Sequence, residues 1–282
     1  MTLLCADAVP PADLHAVAMA AFSDYVIGPF QLTLAQWPAF LGRHAVDAGE
    51  SRVALRAGRP IAFALVAPRS ETGRWRLAMM GAVPEARGSG AAAALLDDVV
   101  ARAGAAGVAA VELECIAQNA RALKFYERRG FVATRQLNGW SQSAEASRRA
   151  SARAPLLEPR VVDRADAFAW LDDIVRRVPD LPLQVTAPSL AMSARALTFW
   201  RLGGAQLAFS VVEGTPTQVH SLVDADPAQH DAQALLHGLR VAHPAEDIVI
   251  PPLQRDDLGG DAARREGFAP QALHQVLMVR GV

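Results

Sequence analysis

Two stretches of the chain end a short helical run with the same pair of residues ahead of an apolar strand. They are Phe125-Tyr126-Glu127-Arg128-Arg129-Gly130-Phe131 and Ala262-Ala263-Arg264-Arg265-Glu266-Gly267-Phe268. The elements read from hydrophobic periodicity around them come in the same order. In the first half, residues 10–22 place Leu14, Val17, Ala18 and Ala21 at helical spacing, and 34–46 predict a second helix. Strands at 52–55 and 61–67 flank the turn Ala57-Gly58-Arg59-Pro60, and 75–83 is a third strand. A long helix at 90–105 is stopped by Gly107, and a strand at 108–115, a helix at 119–129 and a strand at 131–137 follow. The second half repeats this more weakly, with a helix at 163–177, strands at 196–200, 205–212 and 218–223, a helix at 227–239, a strand at 248–251, a helix at 258–266 and a strand at 273–279. The pattern predicts a duplication: two mixed α/β domains with the same order of helices and strands. Residues 1–140 form the first and 156–282 the second, joined by a small, polar linker at 141–155. The first domain's last strand has a second candidate at 156–162.

Composition narrows the function. Lys and Arg number 28 against 29 Asp and Glu, a formal charge of −1, which gives no support to a nucleic-acid-coating protein. Lys124 is the only lysine. The two cysteines, Cys5 and Cys115, fit neither a zinc nor a redox spacing, so reduced thiols in a cytoplasmic protein and no structural metal are expected. Met1-Thr2-Leu3-Leu4-Cys5 lacks the basic start and apolar run of a signal peptide. The alanine-rich run at 91–96 is closed by Asp97-Asp98, too short for a membrane span.

The informative stretch is Met80-Gly81-Ala82-Val83-Pro84-Glu85-Ala86-Arg87-Gly88-Ser89-Gly90, between a strand and the long helix. Small residues allow close backbone approach, and the free amides and dipole of a helix N-terminus favour an anion, with a diphosphate the natural guest. A nucleoside-triphosphate loop needs Gly-Lys-Ser/Thr, whereas Gly90 is followed by Ala91-Ala92. Gly88-x-Gly90-x-x-Ala93 formally matches a dinucleotide fingerprint, with Glu112 or Glu114 about twenty residues on. That fingerprint opens its domain directly from a first strand; here two helices and three strands precede it, and Pro84 intervenes.

Taken together, Arg87, Gly90 and Ala92, then Asn119, Tyr126 and Gly130-Phe131, resemble the GCN5-related N-acetyltransferase family, whose coenzyme A loop reads Arg/Gln-x-x-Gly-x-Gly/Ala. The resemblance covers residues 2–140 well and 156–280 as a degenerate copy. It implies tandem acyl-coenzyme A N-acyltransferase-like domains of three layers, each a mostly antiparallel twisted sheet flanked by helices, with acetyl-coenzyme A as cosubstrate between two splayed parallel strands at 75–83 and 108–115. Backbone near Ala82 and Val83 would hold the pantetheine, amides of Gly88, Ser89, Gly90, Ala91 and Ala92 the diphosphate, and Arg87 and Asn119 belong to the same site. The resemblance also places a carbonyl-polarising N–H at a bulge in the fourth strand, for which Met80 to Ala82 are the candidates. Tyr126 matches the position whose phenol protonates the thiolate, unless its ring only fills a gap between helix and sheet.

Acetyl transfer to an amine also needs a base, because an amine of pKa near ~10.4 is charged at neutral pH. Glu112 and Glu114 share one strand face; either could meet the amine directly or through water, and either could be simply salt-bridged. Cys115 would suit an acyl-enzyme, but direct attack is the family's usual route and a buried thiol the simpler account. Phe22, Asp24, Tyr25 and Phe30 are expected to line the acceptor site, aromatic walls with one carboxylate for an amine cation, although Phe22 and Phe30 also suit a core. Trp75 and His44 are too isolated to assign.

After Val223 the second half reads Asp224-Ala225-Asp226-Pro227-Ala228-Gln229-His230, without the glycine loop, and alignment of the Gly-Phe pairs puts Ala263 where Tyr126 stands. No coenzyme binding is expected there; covering the first domain, shaping the acceptor cleft or a homodimer contact are the expected roles. The first domain is read as an N-acetyltransferase acting on a primary amine of a small molecule or peptide, with neither nucleic acid nor membrane as partner. The rivals are a non-catalytic acyl-coenzyme A-binding regulatory module and a nucleotide-dependent oxidoreductase.

Overall fold

A computed structural model describes residues 1–150 and 158–282. Two compact units emerge: the first holds residues 1–114, 119–132 and 278–282, the second 115–118 and 133–277.

In the first unit β1 (Thr2–Cys5), β2 (Asp47–Arg56), β3 (Arg59–Arg69), β4 (Arg74–Ala82) and β5 (Ala110–Ile116, its last two residues counted with the second unit) lie side by side in that order. The first four pair antiparallel, and β5 joins β4 in parallel. The strand β1 falls where the sequence shows only a short apolar start, too brief to register alone; its pairing with residues 52–55 of β2 makes it a strand.

Helices α1 (Pro11–Ala21) and α2 (Trp37–Arg43) lie on one face. Leu14, Val17 and Ala18 of α1 and Trp37 of α2 form one apolar cluster with Val53, Phe63 and Leu65 of the strands. The second helix is shorter than its periodicity predicts, because Pro38 at its start favours a first-turn position and Thr33 and Gln36 close a turn before it. The 15-residue α3 (Ala91–Ala105) covers the other face with Leu95, Leu96 and Val99 fully buried, and its Arg102 stands 5.3 Å over the Trp75 ring. Next comes α4 (Ala120–Glu127), capped by Asn119, whose side-chain oxygen accepts from Ala122 N at 3.1 Å. This gives the predicted three-layer α/β architecture, mostly antiparallel.

In the second unit the sheet order is β12 (Ala269–Gly281), β6 (Val132–Gln142), β11 (Ile248–Gln254), β10 (Thr217–Asp224), β9 (Ala205–Ser210), β8 (Thr198–Leu202) and β7 (Arg160–Val162). Helices α5 (Ala144–Ala150), α6 (Arg164–Arg177), α7 (Ala187–Ala191), α8 (His230–Ala242) and α9 (Gly260–Arg265) complete it. One of its apolar clusters joins Trp140, Leu207, Phe209, Leu235, Leu236 and Ile250.

The predicted linker is corrected over part of its length. Strand β6 runs on to Gln142, and 144–150 is helical. Alanine, glutamate and arginine are good helix formers even without an amphipathic stripe, and the first turn is capped by Ser143 and Asp247, which accept from Ala146 N and Ala144 N. Residues 151–157 lie outside the described residues. Of the alternative strand at 156–162, residues 156 and 157 lie outside the described residues, and 160–162 form β7, paired with β8 of the second unit. The helix α7, which falls between predicted elements, is a single turn started by Pro188.

Candidate active site

The two parallel strands of the first unit stay together only briefly. The pairs Arg74↔Ala110, Trp75↔Val111 and Arg76↔Glu112 hold β4 to β5, and from Leu77 onward β4 pairs with β3 alone among the described residues. Where they part, β4 also carries a bulge. Leu65 faces Met79 and Val66 faces Leu77, which leaves Ala78 as the extra residue. The predicted bulge at Met80 to Ala82 is thus displaced toward the start of the strand; a bulge depends on register with a neighbour, which the strand's own residues do not declare.

Hydrogen-bond geometry tells which backbone groups face the gap. Val83 N–H donates to Ile61 O at 2.9 Å, so Ala62 and Ala82 are a non-hydrogen-bonded pair and the amide groups of Ala82 turn away from β3. By alternation, so do those of Met80. Val83, by contrast, is spent on both sides, since its carbonyl accepts from Ala86 N.

The glycine turn then delivers the chain into α3. Gly88 and Gly90 have φ of +77° and +86°, left-handed values that β-carbon-bearing residues rarely adopt, and a Cβ on either would meet nothing within 4 Å. The first internal bond of the helix is Ala94 N to Gly90 O, and no side chain caps Gly90. The amides of Ala91 and Ala92 therefore point out of the helix end with the positive end of its dipole behind them. Ser89 N is used within the turn, donating to Ala86 O.

Arg87 points back toward α1. Its guanidinium forks onto Asp24 at 2.5 and 2.6 Å and donates to Ala21 O at 3.1 Å, so each charge stabilises the other and the Asp24 carboxyl sits below its ordinary pKa. Phe22 stacks edge-on with Tyr25 and Phe30 at 4.9 and 6.3 Å. The Phe22 ring also closes on Gly81, where a Cβ would lie 2.8 Å from Cε2, which explains why β4 carries a glycine there. The four expected acceptor residues are thus brought together beside the turn, with Asp24 bonded to Arg87.

Glu112 and Glu114 share a face as expected, and both meet arginine. Glu112 is 1% exposed and bonds Arg69 at 2.5 Å and Arg74 at 3.1 Å; Glu114 lies just past the last paired residue and bonds Arg76 at 2.6 Å. Arg74 and Arg76 reach across from the neighbouring β4 and Arg69 from β3, one strand further, all distant in sequence from β5, which a reading of one strand does not show. Sequence reasoning also left His44 unassigned. Burial and the nearby Arg76 push its pKa down to about 3, against an opposing pull from Glu114, so the ring is neutral and shares the field of that pair. Tyr126 is buried in the last turn of α4 with its ring edge-on to Phe125 and Phe131, at 5.3 and 5.7 Å. Asn119 serves as the α4 cap. Burial raises the Cys115 thiol to about 12, which keeps it protonated at neutral pH.

The sequence model of the Acetyltransferase (GNAT) family matches residues 14–131, a span that contains the parted strands, the glycine turn and Tyr126. Residues 14–131 are a GNAT acetyltransferase domain. Solved structures agree on the fold across the chain. A GCN5-related N-acetyltransferase from Sphaerobacter thermophilus is 13% identical with a TM-score of 0.62, over 99% of this chain and 95% of that one. One from Kribbella flavida is 13% identical at 0.61, over 99% and 71%, and Eis1 from Mycobacterium abscessus 15% at 0.59, over 100% and 74%. No curated protein matches the sequence. The family places residues 14–131 among the acetyltransferases, with acyl transfer as their general chemistry.

The second unit repeats the parted strands and alters the loop. Thr217↔Ile248 and Gln218↔Val249 are the only parallel pairs of β10 with β11 among the described residues, and β10 bulges at His220. The helix that follows, α8, is not open at its start. Asp224, fully buried, accepts from Ala232 N and Asp226 N at 3.0 Å each, and Asp226 accepts from Ala228 N. A side-chain carboxylate thus stands at the helix start that the first unit leaves uncapped.

Proposed function

We propose that the GNAT domain transfers an acetyl group from acetyl-coenzyme A to a primary amine of a small molecule or peptide by direct attack. The observation that carries this reading is the parting of β4 from β5 beside the uncapped start of α3. A pantetheine fits against the unpaired backbone of Met80 and Ala82, as an added strand would, and a diphosphate fits the amides of Gly90, Ala91 and Ala92. Acetyl-coenzyme A supplies the activated acyl group. The chain's own residues supply orientation, polarisation at the Ala78 bulge and two proton movements. Glu114, at the mouth of the gap, takes the proton of the amine, directly or through water; Glu112, locked between two arginines further in, positions the strands. The Tyr126 phenol returns a proton to the leaving thiolate. No acyl-enzyme is needed, and the protonated Cys115 would be a poor nucleophile.

The arginine pairing of both glutamates favours a second reading, a binding module that holds acyl-coenzyme A without turnover. Calorimetric titration with acetyl-coenzyme A, followed by thiol release across a panel of amines, separates the two. One-site micromolar binding with thiol release supports the enzyme; binding with no release from any amine supports the module. No binding overturns both.

A further inference from the structure

The Arg87 fork has the geometry of a tie between two loops. All three of its hydrogen bonds run into the end of α1 and the segment after it: two to the Asp24 carboxylate and one to the terminal carbonyl at Ala21. A helix's last carbonyls lack internal donors and carry the negative end of its dipole, so a guanidinium suits that place. Segment 22–30 is itself drawn around one atom, since Tyr25 N and Phe30 N both donate to Phe22 O, at 3.3 and 3.1 Å. Beside the ring contacts Phe22–Phe63 and Phe30–Phe40, at 6.3 and 5.4 Å, it meets the groove at two points. The Phe22 ring lies on Gly81, between the outward-facing backbone of Met80 and Ala82, and Asp24 lies on Arg87, next to the left-handed Gly88. The two anchors therefore lie at the two parts of the groove, the strand edge and the diphosphate turn.

We infer that Arg87 is a positioning residue that couples the two loops: filling the groove orders segment 22–30, the wall on which the acceptor is received. Asp24 is the other half of this tie and no binding group for the amine, because its charge is already met by the fork. The diphosphate is left to the backbone amides. The acceptor then meets an aromatic wall of Phe22, Tyr25 and Phe30 with no free carboxylate from this loop, and that wall is set in place once the coenzyme has bound. The inference rests on the acetyl-coenzyme A reading of the groove.

Hydrogen exchange by mass spectrometry, with and without coenzyme A, tests it on the full chain beside a calorimetric Kd. Asp24→Asn and Arg87→Gln are the variants; both side chains reach solvent, at 58% and 24% exposure, so neither change opens a core cavity. In the unaltered protein coenzyme A should slow exchange at 88–93 and also at 22–30. In both variants slowing at 88–93 should persist, with Kd within about threefold, while slowing at 22–30 disappears; Arg87→Lys, which lacks the fork, should not restore it. Retained slowing at 22–30 in the variants would overturn the inference. So would a Kd weakened more than about tenfold by Arg87→Gln alone, which would put the guanidinium on the diphosphate. Coenzyme binding to the unaltered protein without any slowing at 22–30 would sink the coupling alone, whereas no binding at all would remove the acetyl-coenzyme A reading beneath it.

Discussion

Replacing Gly90 separates the demands of the backbone from those of the ligand. At φ +86° an alanine would be strained by roughly 1–2 kcal/mol, and with no atom within 4 Å of its Cβ there is no clash to add. For a chain of this size each kcal/mol lowers the melting temperature by roughly 2–4 °C. Gly90→Asp carries the same backbone cost, but aspartate tolerates the left-handed region better than most residues and its carboxylate can accept from the open amides of the first turn. That should return part of the loss. The melting temperature of Gly90→Asp is therefore expected at or above that of Gly90→Ala. Binding should rank the other way. A unit charge about 4 Å from a phosphate opposes it by roughly 1 kcal/mol in water and about 4 kcal/mol at an effective dielectric of 20, and the groove lies between those limits. Aspartate also occupies the very donors the diphosphate needs. Calorimetry should show acetyl-coenzyme A binding to Gly90→Asp weakened at least about tenfold relative to Gly90→Ala, since each 1.4 kcal/mol is a factor of ten. Equal affinity of the two variants would refute the placement of the diphosphate at α3.

Tyr126→Phe keeps the ring contacts with Phe125 and Phe131, so coenzyme affinity should hold while turnover falls by about 10²–10⁴-fold in a thiol-release assay. Glu112→Gln should lower stability in chemical denaturation by up to roughly 3–5 kcal/mol, because it removes the buried carboxylate that Arg69 and Arg74 share and leaves Arg69 with Glu71. Cys115→Ala should leave thiol release unchanged, and a lost rate would reinstate an acyl-enzyme. His44 carries a pH signature. Its pKa is depressed on folding from the ordinary 6.5 to about 3, so the unfolded chain binds the proton first. Stability owed to His44 is complete above pH 6.5 and declines as pH falls toward 3, by about 1.4 kcal/mol per unit at most. Denaturation curves for His44→Gln at successive pH values should show a shallower acid slope than the parent.

The sequence announces what is local. Gly90 before an alanine-rich run marks the start of α3, and Asp163 and Asn119 mark their helices as caps. The site's outline is legible for the same reason: the turn, Tyr126 and the two glutamates lie in short contiguous stretches. What stays hidden is set by partners far along the chain. Arg69 and Glu112 stand 43 residues apart and Arg87 and Asp24 63, so no window of one strand or loop reveals that these charges are spent on each other. The bulge at Ala78 is a slip in register against β3 and leaves no mark on β4 alone. The last strand is a subtler case. Its periodicity is plain, yet nothing in it says that residues 278–282 are counted with the first unit, where Val282 N meets Ala109 O.

Asp224 changes what each helix start requires of its surroundings. At α8 the anion is covalently part of the chain, so its presence at the helix start does not depend on the concentration of any solute. The start of α3 has no such side-chain carboxylate, and in the proposed reading a dissolved anion takes that place, with an effect that scales with its concentration. A melting curve followed against added coenzyme should therefore report on one half of the molecule and be blind to the other. The two helix starts, both entered through a left-handed residue, differ in whether a carboxylate of the chain itself meets the first amides.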